Sequence, residues 1–228
     1  MGEQPPDYSG HRARLRARVL EAGAESLADY EILEYLLFGA QPRRDTKPLA
    51  KALIRRFGSL AGVLAADIPA LRGIAEMGDA KIAALQVTRE AAVRLARQDL
   101  LEGPLLSSWD KLVAYCRITM GREAVEQFRV LFLDRKNRLI ADEQQQKGTV
   151  DHTPVYPREI VKRALELGAS AVILVHNHPS GDPTPSPADI AMTREIVSAA
   201  RGLGIAVHDH LIVARAGETS FRALDLLD

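Results

Sequence analysis

The feature that most constrains this chain is a change of hydrophobic period close to Gly103-Pro104. From about His11 to Arg97, apolar residues recur at three- and four-residue steps; Leu27, Tyr30, Ile32, Leu33, Leu36 and Leu37 form one such set. That spacing lines one face of an α-helix, and no alternating β-branched run interrupts it. Ser26 with Asp29 reads as an N-cap pair. Asp45 or Thr46 opens a further helix that Gly58 closes, and Asp79 to Arg97 reads as a long Ala-rich helix. Residues 1–98 are therefore expected to form an all-helical domain of roughly four or five short helices.

Beyond a linker expected at Gln98 to Ser107 the pattern changes. Phe128 to Leu133 reads as a strand, Asp134 to Asn137 as a turn and Arg138 to Glu143 as the second strand of a hairpin. Pro157 opens a helix to about Leu167. Ala171 to His176 is a buried strand, Ala188 to Leu203 a helix, and Ile205 to Ala214 one or two further strands. Strands interleaved with helices give an α/β domain over residues 106–228, and the whole chain is α+β.

A length of 228 residues, 46% of them apolar, suffices for two buried cores. Lys and Arg total 30, as do Asp and Glu. The first hundred residues hold 15 basic against 13 acidic side chains, too even for the one-sided footprint of a strong DNA binder. Arg12, Arg14, Arg16 and Arg18 spread around a helix instead of forming a stripe. The longest apolar run, Ala171 to Val175, is too short to span a bilayer, and Met1 to Gly10 is too polar for a signal peptide. A single cysteine, Cys116, excludes an internal disulfide and fits a reducing compartment. The expectation is a soluble cytoplasmic protein with no membrane partner. Cys116, spaced from Leu112 and Val113 as on a helix, reads as core, and Trp109 as an anchor at a helix start.

The densest chemical signal is His176-Asn-His178-Pro-Ser-Gly-Asp-Pro-Thr-Pro-Ser186-Pro-Ala-Asp189. Positions i and i+2 of a strand share a face, so His176 and His178 can converge on one ion. The proline-braced turn leads to a helix that Ser186 caps, and Asp189 in its first turn returns a carboxylate to the strand end. Two imidazoles and a carboxylate leave a fourth tetrahedral position for water, the composition of a catalytic zinc site. Ser186 and Asp189 also form a capping box, which by itself needs no metal. His208-Asp-His210 repeats the His-x-His spacing, but no stiff loop downstream returns a carboxylate to it. It reads as a rival pair, a structural pair, or a partner that orients a ligand imidazole. His152 reads as peripheral.

The His-x-His-Pro stretch, the seven residues between His178 and Ser186 and the two before Asp189 resemble the JAMM signature of MPN-domain metalloproteases. The fuller wording HNHPSGDPTPS, with FRVLFLD, YPRE and DHLIV around it, is similar to the bacterial RadC family over nearly the whole chain. The resemblance implies that His176, His178 and Asp189 bind Zn2+, on an MPN fold over about residues 106–228. It also implies a glutamate general base upstream of the His pair. Glu126, immediately ahead of FRVLFL, is the first choice, Glu143 the reserve and Glu123 a weaker one. Ser186 is implied to hydrogen-bond the oxyanion. The expected activity is that of a metallopeptidase or isopeptidase on a protein or peptide substrate, and since MPN domains often work in pairs, a homodimer is among the expectations. In the helical half, Leu71 to Ile82 resembles the hairpin of helix-hairpin-helix domains, which implies a possible DNA contact near Lys81, with Glu76 standing where the first hairpin glycine is expected. A DNA-associated accessory role in recombination or repair is the alternative.

Overall fold

The structure, a computed structural model, describes residues 8–42, 44–101, 103–147 and 155–227; His152 lies outside them. The chain divides into two compact units, Met1–Ala91 and Ala92–Asp228.

The first unit contains α1 (Tyr8–Ala22), α2 (Asp29–Ala40), α3 (Lys47–Phe57), α4 (Leu60–Ala65), α5 (Ile68–Arg72) and the first half of α6 (Asp79–Leu101). Leu33, Leu37, Leu53, Val63, Leu71 and Leu85 are fully buried and form its core. The N-cap expected at Ser26 is displaced. Ser26 lies in a 3-10 turn and its hydroxyl donates to the Gly23 carbonyl at 2.7 Å. The start of α2 is served instead by Glu31, which reaches back to accept from the Ala28 amide at 2.9 Å. Gly58 ends α3 at a φ of 84°, a conformation that favours glycine. Glu76, in the hairpin before α6, is held at a φ of 67°, so a left-handed backbone is built there without glycine. Lys81 is buried, and its ammonium donates to the Glu76 carbonyl. Its charge is turned into the hairpin, and burial lowers its pKa.

In the second unit a five-stranded sheet runs in the order β2-β1-β3-β4-β5, with β1 (Gln127–Leu133), β2 (Leu139–Lys147), β3 (Ala171–Asn177), β4 (Ala206–Val213) and β5 (Glu218–Ser220). Only β3 and β4 pair in parallel. The side chains of β1 and β3 alternate between two cores. Leu131, Leu133, Ile173 and Val175 pack with α7 (Trp109–Thr119), whose Leu112, Tyr115 and Cys116 are buried among them. Phe128, Val130, Val172 and Leu174 pack with α8 (Pro157–Glu166) and α9 (Pro187–Arg201). Both faces of the sheet are thus covered by helices, as a largely buried β3 requires. Val93, Ala96 and Leu100 of α6 join the α7 core, which is why the compact division falls between Ala91 and Ala92 and not at Gly103-Pro104, where the helix ends. Burial, followed by the nearby Asp142 carboxylate, raises the Cys116 thiol pKa, so the residue behaves as core.

A register shift in the β3–β4 pairing positions the site. Val172 pairs with Val207, but the next residue, Ile173, pairs with Asp209. His208 is the extra residue, so the alternation of β4 changes phase there. Beyond it His210 pairs with Leu174, on the face covered by α9.

Candidate metal centre

Strand alternation places His176 in line with Val172 and Leu174 under α9, where it stacks on Phe128 with ring centroids 6.2 Å apart. The chain then leaves the sheet, and the His178 amide donates to the Val213 carbonyl at 3.1 Å. Gly181 has a φ of 94°, and a Cβ there would sit 3.2 Å from Arg215 Nε, so the turn is built around glycine. The prolines at 179, 183 and 185 stiffen the return to α9. At its start the capping box is complete: Ser186 Oγ accepts from the Asp189 amide at 3.1 Å, and the Ser186 amide donates to Asp189 Oδ2 at 2.7 Å. Capping does not exhaust the carboxylate. Asp189 Oδ1 lies 3.3 Å from His176 Nε2, Oδ2 lies 3.4 Å from His178 Nε2, and the two Nε2 atoms are 2.9 Å apart.

The outer hydrogen bonds of the rings decide what this cluster can hold. His178 Nδ1 is 2.8 Å from the Asp182 carbonyl, which only accepts, so in the neutral ring the proton is on Nδ1 and Nε2 carries a lone pair. With two carboxylate oxygens facing it, that lone pair leaves room for one positive particle: a proton carried on His176 Nε2, or a metal ion. Tetrahedral zinc with ligand distances of about 2.0–2.1 Å separates its ligands by about 3.3 Å. The observed separations of 2.9–3.4 Å suit it, as does the donor set. His176, His178 and Asp189 are the one such group among the described residues.

The electrostatics agree. The bond to Asp189 raises the pKa of His178 against the opposing effect of burial. Burial pushes Asp189 up, but its bonds from His176 and His178 outweigh this and hold the carboxyl far below the usual carboxylate range. His210 is held well below the ordinary imidazole value by burial and then by His176, and is neutral.

The family model described as the RadC-like JAB domain matches residues 106–226, more than half of the chain. The chain belongs to the RadC family. The match spans every strand of the sheet, α7 to α9, and all three members of the cluster, and the domain is of the JAB/MPN type associated with JAMM hydrolases.

Within the RadC domain the three glutamates separate by environment. Glu126 is exposed immediately before β1, close enough to His178 for its charge to contribute to the raised pKa of that ring. Glu143, on β2, accepts from Arg163 Nε and Nη2 at 2.7–3.1 Å, and that bond lowers its pKa. Glu123 accepts from Gln127 Nε2 at 3.2 Å. The hydrogen bonds therefore tie Glu143 to α8, whereas the charge of Glu126 is felt at His178. Ser186 lies next to the cluster, its oxygen accepting the cap bond from the Asp189 amide and its side chain helping to hold the Asp189 pKa down.

Two residues of this domain escaped the sequence reading. Asn177, between the histidines, projects to the opposite side of β3. Its Oδ1 accepts from the Gln127 amide at 2.8 Å, and its Nδ2 donates to the Val125 carbonyl at 3.2 Å, so it holds the segment that carries Glu126. Strand alternation was the available signal, since Asn177 must face away from His176. Thr193, one turn after Asp189 on α9, contacts His210. His208, by contrast, lies 2.7 Å from Asn137 Oδ1, away from the cluster, and burial lowers its pKa.

Proposed function

We propose that the RadC domain of this chain is a zinc-dependent hydrolase of amide bonds, a peptidase or isopeptidase of the JAMM type. The observation that carries the reading is the His176, His178 and Asp189 cluster, whose ring Nε2 atoms lie 2.9 Å apart and each within 3.4 Å of an oxygen of the Asp189 carboxylate. These three residues hold the ion. A zinc ion there supplies Lewis acidity and makes water acidic enough to ionise near neutral pH. Glu126 accepts the proton of the attacking water and later returns it to the leaving amine, which suits an exposed carboxylate whose charge is felt at His178. Ser186 donates its hydroxyl proton to the substrate carbonyl oxygen as that atom gains negative charge. The substrate class is a protein or a peptide-like conjugate.

Metal analysis of the purified chain, followed by cleavage of a quenched peptide and isopeptide library with and without chelator, tests this. Stoichiometric zinc and chelator-sensitive cleavage are expected, with Asp189→Ala losing both. Retention of zinc and activity by that variant rejects the assignment.

A second reading, attachment of the chain to DNA through its first unit, draws on the hairpin between α5 and α6, where Glu76 takes up the left-handed backbone of a tight turn. Lys81 is spent on that turn, so any contact has to come from backbone amides and other cations. The full chain titrated with duplex DNA at low salt decides: affinity falling linearly with the logarithm of salt supports it, and no binding at low salt ends it.

A further inference from the structure

Behind His176 the hydrogen bonds form a line that ends on a hydroxyl. His176 Nδ1 lies 2.7 Å from His210 Nε2, His210 Nδ1 lies 2.6 Å from Thr193 Oγ1, and Thr193 Oγ1 lies 2.6 Å from the carbonyl oxygen of Asp189. All three side chains are at most 1% exposed. Phe221 stacks on His210 with centroids 4.5 Å apart, and Phe128 meets it edge-on at 5.7 Å, so the line is walled by apolar rings.

A hydroxyl has one proton, and a carbonyl only accepts. If Thr193 donates to His210 Nδ1, the His210 proton sits on Nε2 and points at His176 Nδ1. The proton of a neutral His176 is then on Nε2, in the cluster, where it opposes a metal. If Thr193 donates to the Asp189 carbonyl, it accepts from His210 Nδ1–H. His210 Nε2 then accepts from His176 Nδ1–H, and the lone pair of His176 Nε2 faces the cluster. The orientation of one buried hydroxyl thus selects the tautomer of a ring two hydrogen bonds away, and its second partner is the backbone of Asp189 itself.

We propose that Thr193 and His210 are positioning residues for the metal centre, a relay in which the Thr193–Asp189 hydrogen bond holds His176 in the tautomer able to ligate. The inference rests on the metal-centre reading above and adds to it two residues that do not touch the ion. Outer partners that orient a ligating histidine typically change metal affinity by about 10–100-fold.

Zinc affinity of the full chain, measured by competition with a chromophoric chelator, tests the relay without any assay of activity. Thr193→Val deletes the hydroxyl and leaves His210 Nδ1 without a partner, so His210 is driven to the Nε2–H form and His176 away from ligation. Affinity is expected to fall about 10–100-fold, and Thr193→Ser to restore most of it. His210→Phe, which suits the aromatic walls, should cost as much. The double variant should be no weaker than His210→Phe alone, because one relay is broken once. Imidazole 15N spectra should show His210 protonated on Nδ1 in the zinc-loaded parent and on Nε2 in metal-free Thr193→Val. If the parent binds zinc and Thr193→Val binds it equally, or the two losses add, the relay is refuted while the metal centre stands. If the parent binds no zinc, the metal-centre reading fails and the relay with it.

Discussion

The chain contains two His-x-His pairs that look alike in sequence and behave as opposites in space. In the first, His176 and His178 stand at the end of β3 and just beyond it, their Nε2 atoms 2.9 Å apart and both within 3.4 Å of the Asp189 carboxylate. In the second, His208 is the extra residue of a register shift in the middle of β4, so the two rings part. His208 goes to Asn137, and His210 goes under α9 to Thr193 and His176. Asp209 between them accepts from Ser220 Oγ and from the Arg222 amide, locking the strand to the turn beyond β5. Spacing alone therefore does not make a metal pair. Two histidines need an unbroken geometry and a third donor brought to meet them, which here is the work of the loop and the cap of α9.

The contrast is sharpest under substitution. Asp189→Ala should abolish zinc binding, the largest effect expected, whereas His208→Ala should leave zinc stoichiometry unchanged; loss of zinc in His208→Ala breaks the distinction. Glu126→Gln should lower turnover of a cleavable peptide by about 10²–10⁴ while zinc content stays at the parental level. A parallel loss of zinc would move Glu126 from proton transfer to ligation.

The pairs also differ in how they titrate, which NMR shifts of the ring protons can follow in the metal-free chain. His178 should hold its proton above the ordinary imidazole value of about 6.5, since Asp189 favours the charged ring, and His208 should lose its proton below that value. The linked stabilities have opposite signs. The contribution of His178 is fully present below the unfolded pKa and is lost as pH rises through its raised folded pKa. His208 costs stability on acidification, because below about 6.5 the unfolded chain takes up a proton that the folded chain refuses. Zinc should abolish the titration of His178 and leave that of His208 in place. Smallest of all, His208→Ala should cost about 1 kcal/mol in chemical denaturation, one hydrogen bond to Asn137, and Ser186→Ala about 1 kcal/mol through the lost cap.

Much of this was legible in the residue order. The period of the first half marked helices, the punctuation of Asp134 to Asn137 marked a hairpin, and AVILV marked a strand buried on both faces. The cluster was legible for a local reason: His176, His178, Ser186 and Asp189 lie within fourteen residues, bound by strand alternation, a stiff turn and a cap. Local rules failed where a neighbour from elsewhere intervened. Ser26 lost its capping role to Glu31, a residue with longer reach. Glu126 precedes β1 and Glu143 lies within β2, and nothing near them in the chain tells that Arg163 on α8 engages Glu143. Asn177 was overlooked because its partners, Val125 and Gln127, are about fifty residues away.

By itself the sequence determined the kinds of element, the division into a helical and a mixed half, and the identity of a carboxylate and two imidazoles that a short loop must bring together. These follow from interactions within a turn or two of the backbone, where periodicity and capping dominate. Only the tertiary structure decided that Arg163 engages Glu143, that one histidine of the second pair contacts the first, and that Thr193 stands behind it. Those outcomes depend on the pairing register of β3 with β4 and on the packing of α9 over the sheet. A single extra residue in a strand reverses which way every later side chain points, and the residue order around His208 carries no mark of it.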